Sequence, residues 1–236
     1  MSRLPNRIVV DSLQALATSA SAWIAESVFD AVSRRGTCSI ALSGGKTPQP
    51  VHAALSHHVP RLPWSKIHIF FADERAVLPT DPDSNYRMAR ESLLDHVPVP
   101  PANVHRMEGE RADLDAAARA YDALLPRTLD VLLLGVGPDG HTASLFPGAP
   151  ALGERAKRVV PADSPFPPPR RLTITPPVIA TARQTAVIVA GHDKAAVVQR
   201  ALEGPVNLQA CPVQLALDAT WFIERSAAAL FERALR

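Results

Sequence analysis

Short apolar runs rich in branched residues alternate with longer helical stretches along nearly the whole of this chain. Because parallel strands need helical crossovers, the alternation predicts an α/β fold with a mainly parallel sheet and helices on both faces. No Gly/Ser linker or block of charge divides the sequence, and we expect residues 1–236 to form a single domain. The predicted strands span residues 7–10, 37–42, 66–71, 130–134, 172–175, 185–190 and 213–217. The predicted helices span residues 12–35, 48–58, 84–94, 114–125 and 193–202, with a last helix after residue 218.

The composition argues against several classes of partner. The net charge is only +2, and the few aromatic residues do not alternate with Lys and Arg, which disfavours nucleic acid and acidic membrane surfaces. No apolar stretch is long enough for a membrane span, and no signal-peptide pattern is visible. Cys38 and Cys211 show no metal-ligand spacing and cannot form a disulfide framework. We therefore expect a soluble cytoplasmic protein, either a monomer or a small homo-oligomer, whose partner is a small molecule.

The segment from Asp130 to Pro147 carries the strongest functional signal. The run from Asp130 to Gly135 is typical of a strand buried on both faces, and a glycine turn follows it. Asp139 and His141 lie in this turn, at the carboxyl end of the strand, where open α/β sheets bind their ligands. Asp139 is also placed to cap a helix that we expect to begin near His141. No pair of histidines has metal-ligand spacing, so the sequence predicts no metal site.

A second loop, Ser43-Gly-Gly-Lys-Thr47, stands between a predicted strand and a predicted helix. Its glycines allow backbone N–H groups to converge beside a helix N-terminus, which is favourable for a phosphate. An ordinary strand-to-helix turn explains the loop equally well. The spacing is neither that of a Walker motif nor GxGxxG, so a small phosphorylated metabolite fits better than a nucleotide.

A third loop begins with Asp73-Glu-Arg75 at the end of a predicted strand. Because neighbouring side chains point in different directions, we expect Asp73 and Arg75 to face a ligand and Glu74 to be structural. Asn85 could bind a ligand or simply begin the next helix.

Two further basic residues lie beside predicted strands. Arg171 precedes one strand and Lys194 follows another. Alone, each is typical of a surface charge, but near an anion-binding loop they become plausible phosphate partners.

Taken in order, these motifs resemble the 6-phosphogluconolactonase family, which shares its superfamily with glucosamine-6-phosphate isomerases. The resemblance covers the chain from about Leu42 to Ala195, and the segment around His141 is its most specific part. It implies a single-domain Rossmann-like fold and hydrolysis of 6-phospho-D-glucono-1,5-lactone to 6-phosphogluconate in the oxidative pentose phosphate pathway. No metal or organic cofactor is needed for that reaction. Lys46 stands where the family often has Ser, and Ala76 where it often has an aromatic residue.

The implied chemistry assigns a role to each motif. His141 would take a proton from the attacking water and return it to the ring oxygen, and either Asp139 or Asp73 would orient its imidazole. Arg75, or backbone N–H groups of the 135–140 turn, would stabilise the oxyanion. The residues expected to hold the phosphorylated substrate are Ser43, Gly44, Gly45, Lys46, Thr47, Asn85, Arg171 and Lys194.

Two other functions remain possible from the residues. The first is a glucosamine-6-phosphate deaminase. Such enzymes typically have Gly-His-Ile-Ala-Phe-Asn-Glu-Pro where this chain has Gly140 to Pro147, and the Glu of that pattern is missing here. The second is a non-catalytic sugar-phosphate-binding regulator. Asp73, Asp139 and His141 are all present and no DNA-binding segment is visible, which disfavours it.

Overall fold

A computed structural model describes residues 6–58 and 61–230 of the chain. Its centre is a six-stranded sheet in the order β1-β9-β8-β5-β2-β3, and every neighbouring pair is parallel. A smaller antiparallel sheet has the order β4-β7-β6. The strands are β1 (Asn6–Val10), β2 (Cys38–Leu42), β3 (Ile67–Phe71), β4 (Asp73–Arg75), β5 (Val131–Gly135), β6 (Val159–Asp163), β7 (Arg170–Ile174), β8 (Gln184–Val189) and β9 (Thr220–Glu224).

Six α-helices accompany these strands in the described part of the chain, and none of them is long and apolar enough to cross a membrane. The first helix follows the sequence prediction closely: the Ser12 side chain accepts the N–H of Ala15 at its start, and Gly36 ends it with φ +82°. The helices are α1 (Leu13–Arg35), α2 (Pro48–Ser56), α3 (Asn85–Ser92), α4 (Leu114–Leu124), α5 (Pro176–Thr181) and α6 (Ala195–Glu203).

The two faces of the large sheet have separate apolar cores. Successive residues of a strand point to opposite faces, so Leu132 and Leu134 of β5 pack with α4, α5 and α6, whereas Val131 and Leu133 pack with α1, α2 and α3. All four side chains are fully buried. The predicted class, a mainly parallel α/β sheet covered on both faces, is confirmed.

The small sheet was not predicted, and it shapes one wall of the site described below. The chain leaves β3 at Phe71 and enters β4 at Asp73, where it pairs with β7 instead of continuing the large sheet. In this register Arg75 lies opposite Arg171. Three charged residues such as those of β4 do not suggest a strand locally, because only the pairing with β7 makes them one.

Two predictions near the end of the chain are wrong. Residues 213–217 are not a strand but lie largely in a 3₁₀-helix, Pro212–Ala216, because Pro212 lacks an N–H and suits the first turn of a helix. The helix expected after Asp218 is replaced by β9, which inserts between β1 and β8. The apolar run Trp221-Phe-Ile223 is buried on both faces of the sheet and favours the strand. The predicted continuation past residue 230 lies outside the described residues.

Candidate active site

An open cavity of about 480 Å³ lies at the carboxyl ends of β2, β5 and β8, with β4 and β7 forming one side. This is the edge of a parallel sheet at which α/β proteins bind ligands. Eleven of the twelve predicted site residues line the cavity, and the twelfth, Asp139, lies directly behind His141. The lining residues among them are Ser43, Gly44, Gly45, Lys46, Thr47, Asp73, Arg75, Asn85, His141, Arg171 and Lys194.

His141 and Asp139 form a hydrogen-bonded pair. The imidazole Nδ1 lies 2.6 Å from Asp139 Oδ1, and the same oxygen accepts the backbone N–H of His141 at 3.1 Å. Burial alone would raise the pKa of the Asp139 carboxyl, but the hydrogen bond and the charge of His141 outweigh it and lower that pKa. The carboxylate therefore stays ionised and fixes Nδ1, which leaves Nε2 as the ring nitrogen available for proton transfer.

No helix begins at His141, contrary to the sequence prediction. Gly140 has φ +98° and Ala143 has φ +48°, and a short bridge joins Thr142 to Leu145. Left-handed residues at these two positions are incompatible with a right-handed helical turn. The Asp139 carboxylate therefore caps no helix, and it holds the imidazole instead.

Asp73 belongs to a different network in the same cavity. Its Oδ2 accepts the hydroxyl of Ser144 at 2.6 Å, and its Oδ1 accepts the side-chain amide of Asn85 at 3.0 Å. Both carboxylate oxygens of Asp73 are engaged by these donors, and it is Asp139 that forms the hydrogen bond with the His141 imidazole. The alternative left open by the sequence, orientation of His141 by Asp73, has no hydrogen bond to support it among the contacts described.

Glu74 points away from the cavity, as alternation along β4 requires. Its side chain is 3% exposed, and its two oxygens accept the N–H groups of Arg75, Asn85 and Tyr86 and the hydroxyl of Ser84. A single carboxyl group thus ties β4 to the start of α3. The structural role expected for Glu74 agrees with this geometry.

Replacement of Glu74 by Gln is expected to destabilise the fold, because an amide NH₂ would face donors that now have an acceptor. Each buried donor left without an acceptor is expected to lower the free energy of unfolding by about 1–3 kcal/mol. Urea titration of the wild type and the variant measures this difference. Exposed Glu203→Gln is the control, and we expect it to change that free energy by less than about 0.5 kcal/mol. An equal effect of the two replacements would contradict the structural role of Glu74.

The same carboxyl makes a pH dependence testable. Burial raises the pKa of Glu74 to about 7, and the charge of Asp73 adds to the rise against the opposing backbone hydrogen bonds. The folded protein therefore binds this proton more tightly than the unfolded chain, so the contribution of Glu74 to stability is full at low pH and is lost as pH rises through about 7. The difference in unfolding free energy between the wild type and Glu74→Gln should consequently be larger at about pH 5 than at about pH 8.

The glycine loop between β2 and α2 packs against Asn85. A Cβ atom at Gly44 would lie 1.9 Å from Asn85 Oδ1, so only glycine fits, and Gly45 has φ +102°. Oδ1 of Asn85 is buried without a hydrogen-bond partner among the described residues. The loop ends at Pro48, the first residue of α2, which also lines the cavity.

Basic side chains line the cavity from four segments, one of which is the 43–47 loop with Lys46. Arg75 and Arg171 face each other across β4 and β7, and Lys194 comes from the turn after β8 with Nζ 3.4 Å from Asp193 Oδ2. Arg171 is 6% exposed, and its burial lowers the pKa of its guanidinium, although Asp73 partly offsets this. Its Nε donates to the carbonyl of Pro168 at 2.8 Å. Arg171 therefore braces the proline-rich loop as well as lining the cavity.

Sequence reasoning missed several lining residues. Phe146 packs on His141 with ring centroids 4.6 Å apart, and Phe166 approaches the same ring at 6.0 Å. Ser144 and Phe146 stand in the 130–147 segment that contains His141 and could have been chosen from their position there. Phe166 and Asp193 were not chosen, because the proline-rich loop and the turn after β8 reach the cavity only through the tertiary fold.

Among the residues that the structure describes, no group of three or more His, Cys, Asp or Glu side chains is arranged to hold a metal ion.

A family model described as glucosamine-6-phosphate isomerases/6-phosphogluconolactonase matches residues 11–222. The chain belongs to this family. The resemblance indicated by the motifs is thereby confirmed.

Individual family members match over most of the chain. The 6-phosphogluconolactonase of Mycobacterium tuberculosis is 40% identical over 84% of this chain and 87% of its own length. That of Streptomyces coelicolor is 36% identical over 100% of this chain and 98% of its own length. A solved structure of the Trypanosoma brucei 6-phosphogluconolactonase matches with a TM-score of 0.84 and 28% identity, covering 95% of this chain and 98% of that one. A monomeric glucosamine-6-phosphate deaminase matches at 24% identity with a TM-score of 0.82, over 95% of this chain and 99% of that one, which shows a shared fold.

Proposed function

We propose that this protein is a 6-phosphogluconolactonase, which hydrolyses 6-phospho-D-glucono-1,5-lactone to 6-phosphogluconate in the oxidative pentose phosphate pathway. The observation that carries the proposal is the Asp139–His141 pair, with 2.6 Å between Oδ1 and Nδ1, in a cavity that Arg75, Arg171 and Lys194 also line. A general base beside several cationic side chains suits the hydrolysis of a cyclic ester that carries a phosphate group. The relatives named 6-phosphogluconolactonase support the same assignment.

The reaction needs one residue that exchanges protons. A water molecule attacks the lactone carbonyl carbon while Nε2 of His141 takes its proton, and Asp139 stabilises the imidazolium that forms. The tetrahedral intermediate then collapses, the bond between the carbonyl carbon and the ring oxygen breaks, and the imidazolium returns the proton to that oxygen. The product is the open-chain acid, and His141 is neutral again.

The remaining cavity residues stabilise charge and hold the substrate. Arg75, or the N–H groups of the turn before His141, would donate to the oxyanion, an effect worth roughly 3 kcal/mol per donor in other enzymes. The 43–47 loop, Arg171 and Lys194 would hold the phosphate, far from the reacting carbonyl. Binding energy from that phosphate places the lactone beside His141.

Phe146 disfavours the deaminase alternative. The motif typical of glucosamine-6-phosphate deaminases has a Glu at the position that Phe146 occupies here. In this structure the Phe146 ring lies 4.6 Å from the His141 imidazole, centroid to centroid. A carboxylate that could share a proton with His141 is therefore replaced by an apolar wall. Such an environment favours direct hydrolysis over the proton shuttling that ring opening and ammonia release need.

The proposed function is tested by generating the lactone in situ with glucose-6-phosphate dehydrogenase and following its disappearance. We expect the protein to accelerate the loss far above the spontaneous rate and to release no ammonia from glucosamine 6-phosphate. Ammonia release without lactone hydrolysis would establish the deaminase instead. Tight binding of 6-phosphogluconate with no turnover of either substrate would indicate a regulator.

Replacement of Lys194 by Ala tests the phosphate assignment. We expect KM for the phosphorylated lactone to rise about 10–100-fold, the loss typical of a charged hydrogen bond, with kcat changed less than about 3-fold. The unphosphorylated glucono-1,5-lactone is the matched control substrate, and its kcat/KM should be unaffected. A fall in kcat alone, or an equal effect on both substrates, would contradict the role of Lys194 in phosphate binding.

The proposal also treats residues 1–236 as one domain that acts in the cytoplasm on a small phosphosugar lactone. Cys38 and Cys211 are both buried free thiols, which suits a reducing compartment.

A further inference from the structure

Arg200 lies outside the cavity but contacts the residue that holds the imidazole. It is an exposed residue of α6, the helix that begins directly after Lys194. Its guanidinium Nη2 donates to the backbone carbonyl of Asp139 at 2.5 Å. A long side chain from α6 thus reaches the main chain of the glycine turn at residues 135–140, directly before His141.

The peptide that Arg200 contacts joins Asp139 to Gly140, and glycine allows the widest range of backbone conformations of any residue. Gly140 has φ +98°, and its carbonyl accepts the N–H of Val213 at 2.9 Å. A Cβ atom at Gly140 would lie 2.8 Å from Arg200 Nη2 and 3.1 Å from Cys211 Sγ, so the turn is enclosed between Arg200 and the 211–213 segment. Within the turn, the N–H of Gly140 donates to the carbonyl of Gly137 at 3.0 Å, whereas the Asp139 carbonyl on the other side of the same peptide is held from outside the turn by Arg200. Since glycine restricts its own backbone least, the Arg200 contact is needed to hold this peptide from both sides.

We propose that Arg200 is a positioning residue for the lactonase reaction. By holding the Asp139 carbonyl, it fixes the main chain from which the Asp139 carboxylate reaches Nδ1 of His141. Loss of the guanidinium leaves the 139–140 peptide held only by the Gly140 N–H, which donates to Gly137, and the carboxylate then contacts the imidazole for a smaller part of the time. The inference rests on the proposed function, because its effect appears in the hydrolysis that His141 performs.

The contacts around Arg200 make its side chain separable from the fold. Its backbone carbonyl accepts a hydrogen bond from Gln214 Nε2 at 3.4 Å, and that contact survives any side-chain replacement. Arg200→Met keeps much of the aliphatic length and removes only the guanidinium. Arg119→Met is the matched control, since Arg119 is an exposed residue of α4, a helix that contributes nothing to the cavity lining.

The experiment measures kcat, KM and the melting temperature for wild type, Arg200→Met, Arg200→Lys and Arg119→Met. For Arg200→Met we expect kcat to fall about 10-fold with KM changed less than about 2-fold, since displacement of a catalytic group by about 1 Å costs up to about 10²-fold. A fall in kcat at nearly constant KM is the effect expected of a misplaced catalytic group in an intact binding cavity. Arg200→Lys should recover part of the rate, and Arg119→Met should match the wild type.

Each outcome decides between the two proposals. A wild type that does not accelerate lactone loss refutes the proposed function, whatever the variants do. An active wild type with Arg200→Met unchanged in kcat overturns the positioning role. A lowered kcat with a lowered melting temperature and no recovery in Arg200→Lys also overturns it, since Arg200 would then be merely structural.

Discussion

Replacement of His141 by Ala is expected to lower kcat for lactone hydrolysis by about 10²–10⁴-fold, the contribution typical of a positioned general base. KM should change little, because the side of the cavity that we propose to bind the phosphate stays intact. The rate is measured above spontaneous hydrolysis with the lactone generated in situ. Residual turnover would reflect binding and oxyanion stabilisation, which do not depend on the imidazole.

The control for this variant is His57→Ala, which removes an exposed imidazole at the end of α2. We expect it to leave both kcat and KM unchanged. Retention of more than about a tenth of wild-type kcat by His141→Ala would exclude His141 as the base, given the range for such residues. The 2.6 Å pair with Asp139 would then have to be explained as a structural contact.

Replacement of Gly137 by Ala is expected to abolish most of the activity although no catalytic side chain is itself replaced. A Cβ atom at Gly137 would lie 2.1 Å from both Nδ1 and Cε1 of His141, far closer than real contacts allow. The imidazole is the end of a rotatable side chain and would swing away, which breaks its bond to Asp139. We expect kcat to fall at least about 10²-fold, as misplacement of a catalytic group predicts, while the protein still folds.

The matched control is Gly153→Ala, because a Cβ atom there meets nothing within 4 Å. Thermal unfolding and kcat are measured for both variants. Gly153→Ala should resemble the wild type in both, whereas Gly137→Ala should keep its melting temperature within a few degrees and lose the activity. Full activity in Gly137→Ala would mean that the position of the imidazole against the glycine turn is not the one used in catalysis.

Most of the large sheet was predictable because buried parallel strands consist of apolar runs that differ from their surroundings. β5, for example, was expected at residues 130–134 and is found at Val131–Gly135. The prediction failed for two strands, and for different reasons. Asp73-Glu-Arg75 forms a strand only because β7 pairs with it. Residues 220–224 contain an apolar run that suits the strand found between β1 and β8, but a run this short does not by itself distinguish a buried strand from a helix.

The same division runs through the active site. The sequence by itself determined which loops carry the chemistry, because glycine turns with ionisable residues at the ends of apolar strands predict a ligand site wherever a parallel sheet forms. Only the tertiary structure decided between Asp139 and Asp73 as the partner of His141, since the choice depends on a 2.6 Å contact and on Ser144 and Asn85 occupying Asp73. It also brought Phe166 to the imidazole and Arg200 to the carbonyl of Asp139 from distant segments. Such contacts depend on the packing of whole elements, which no local pattern of residues encodes.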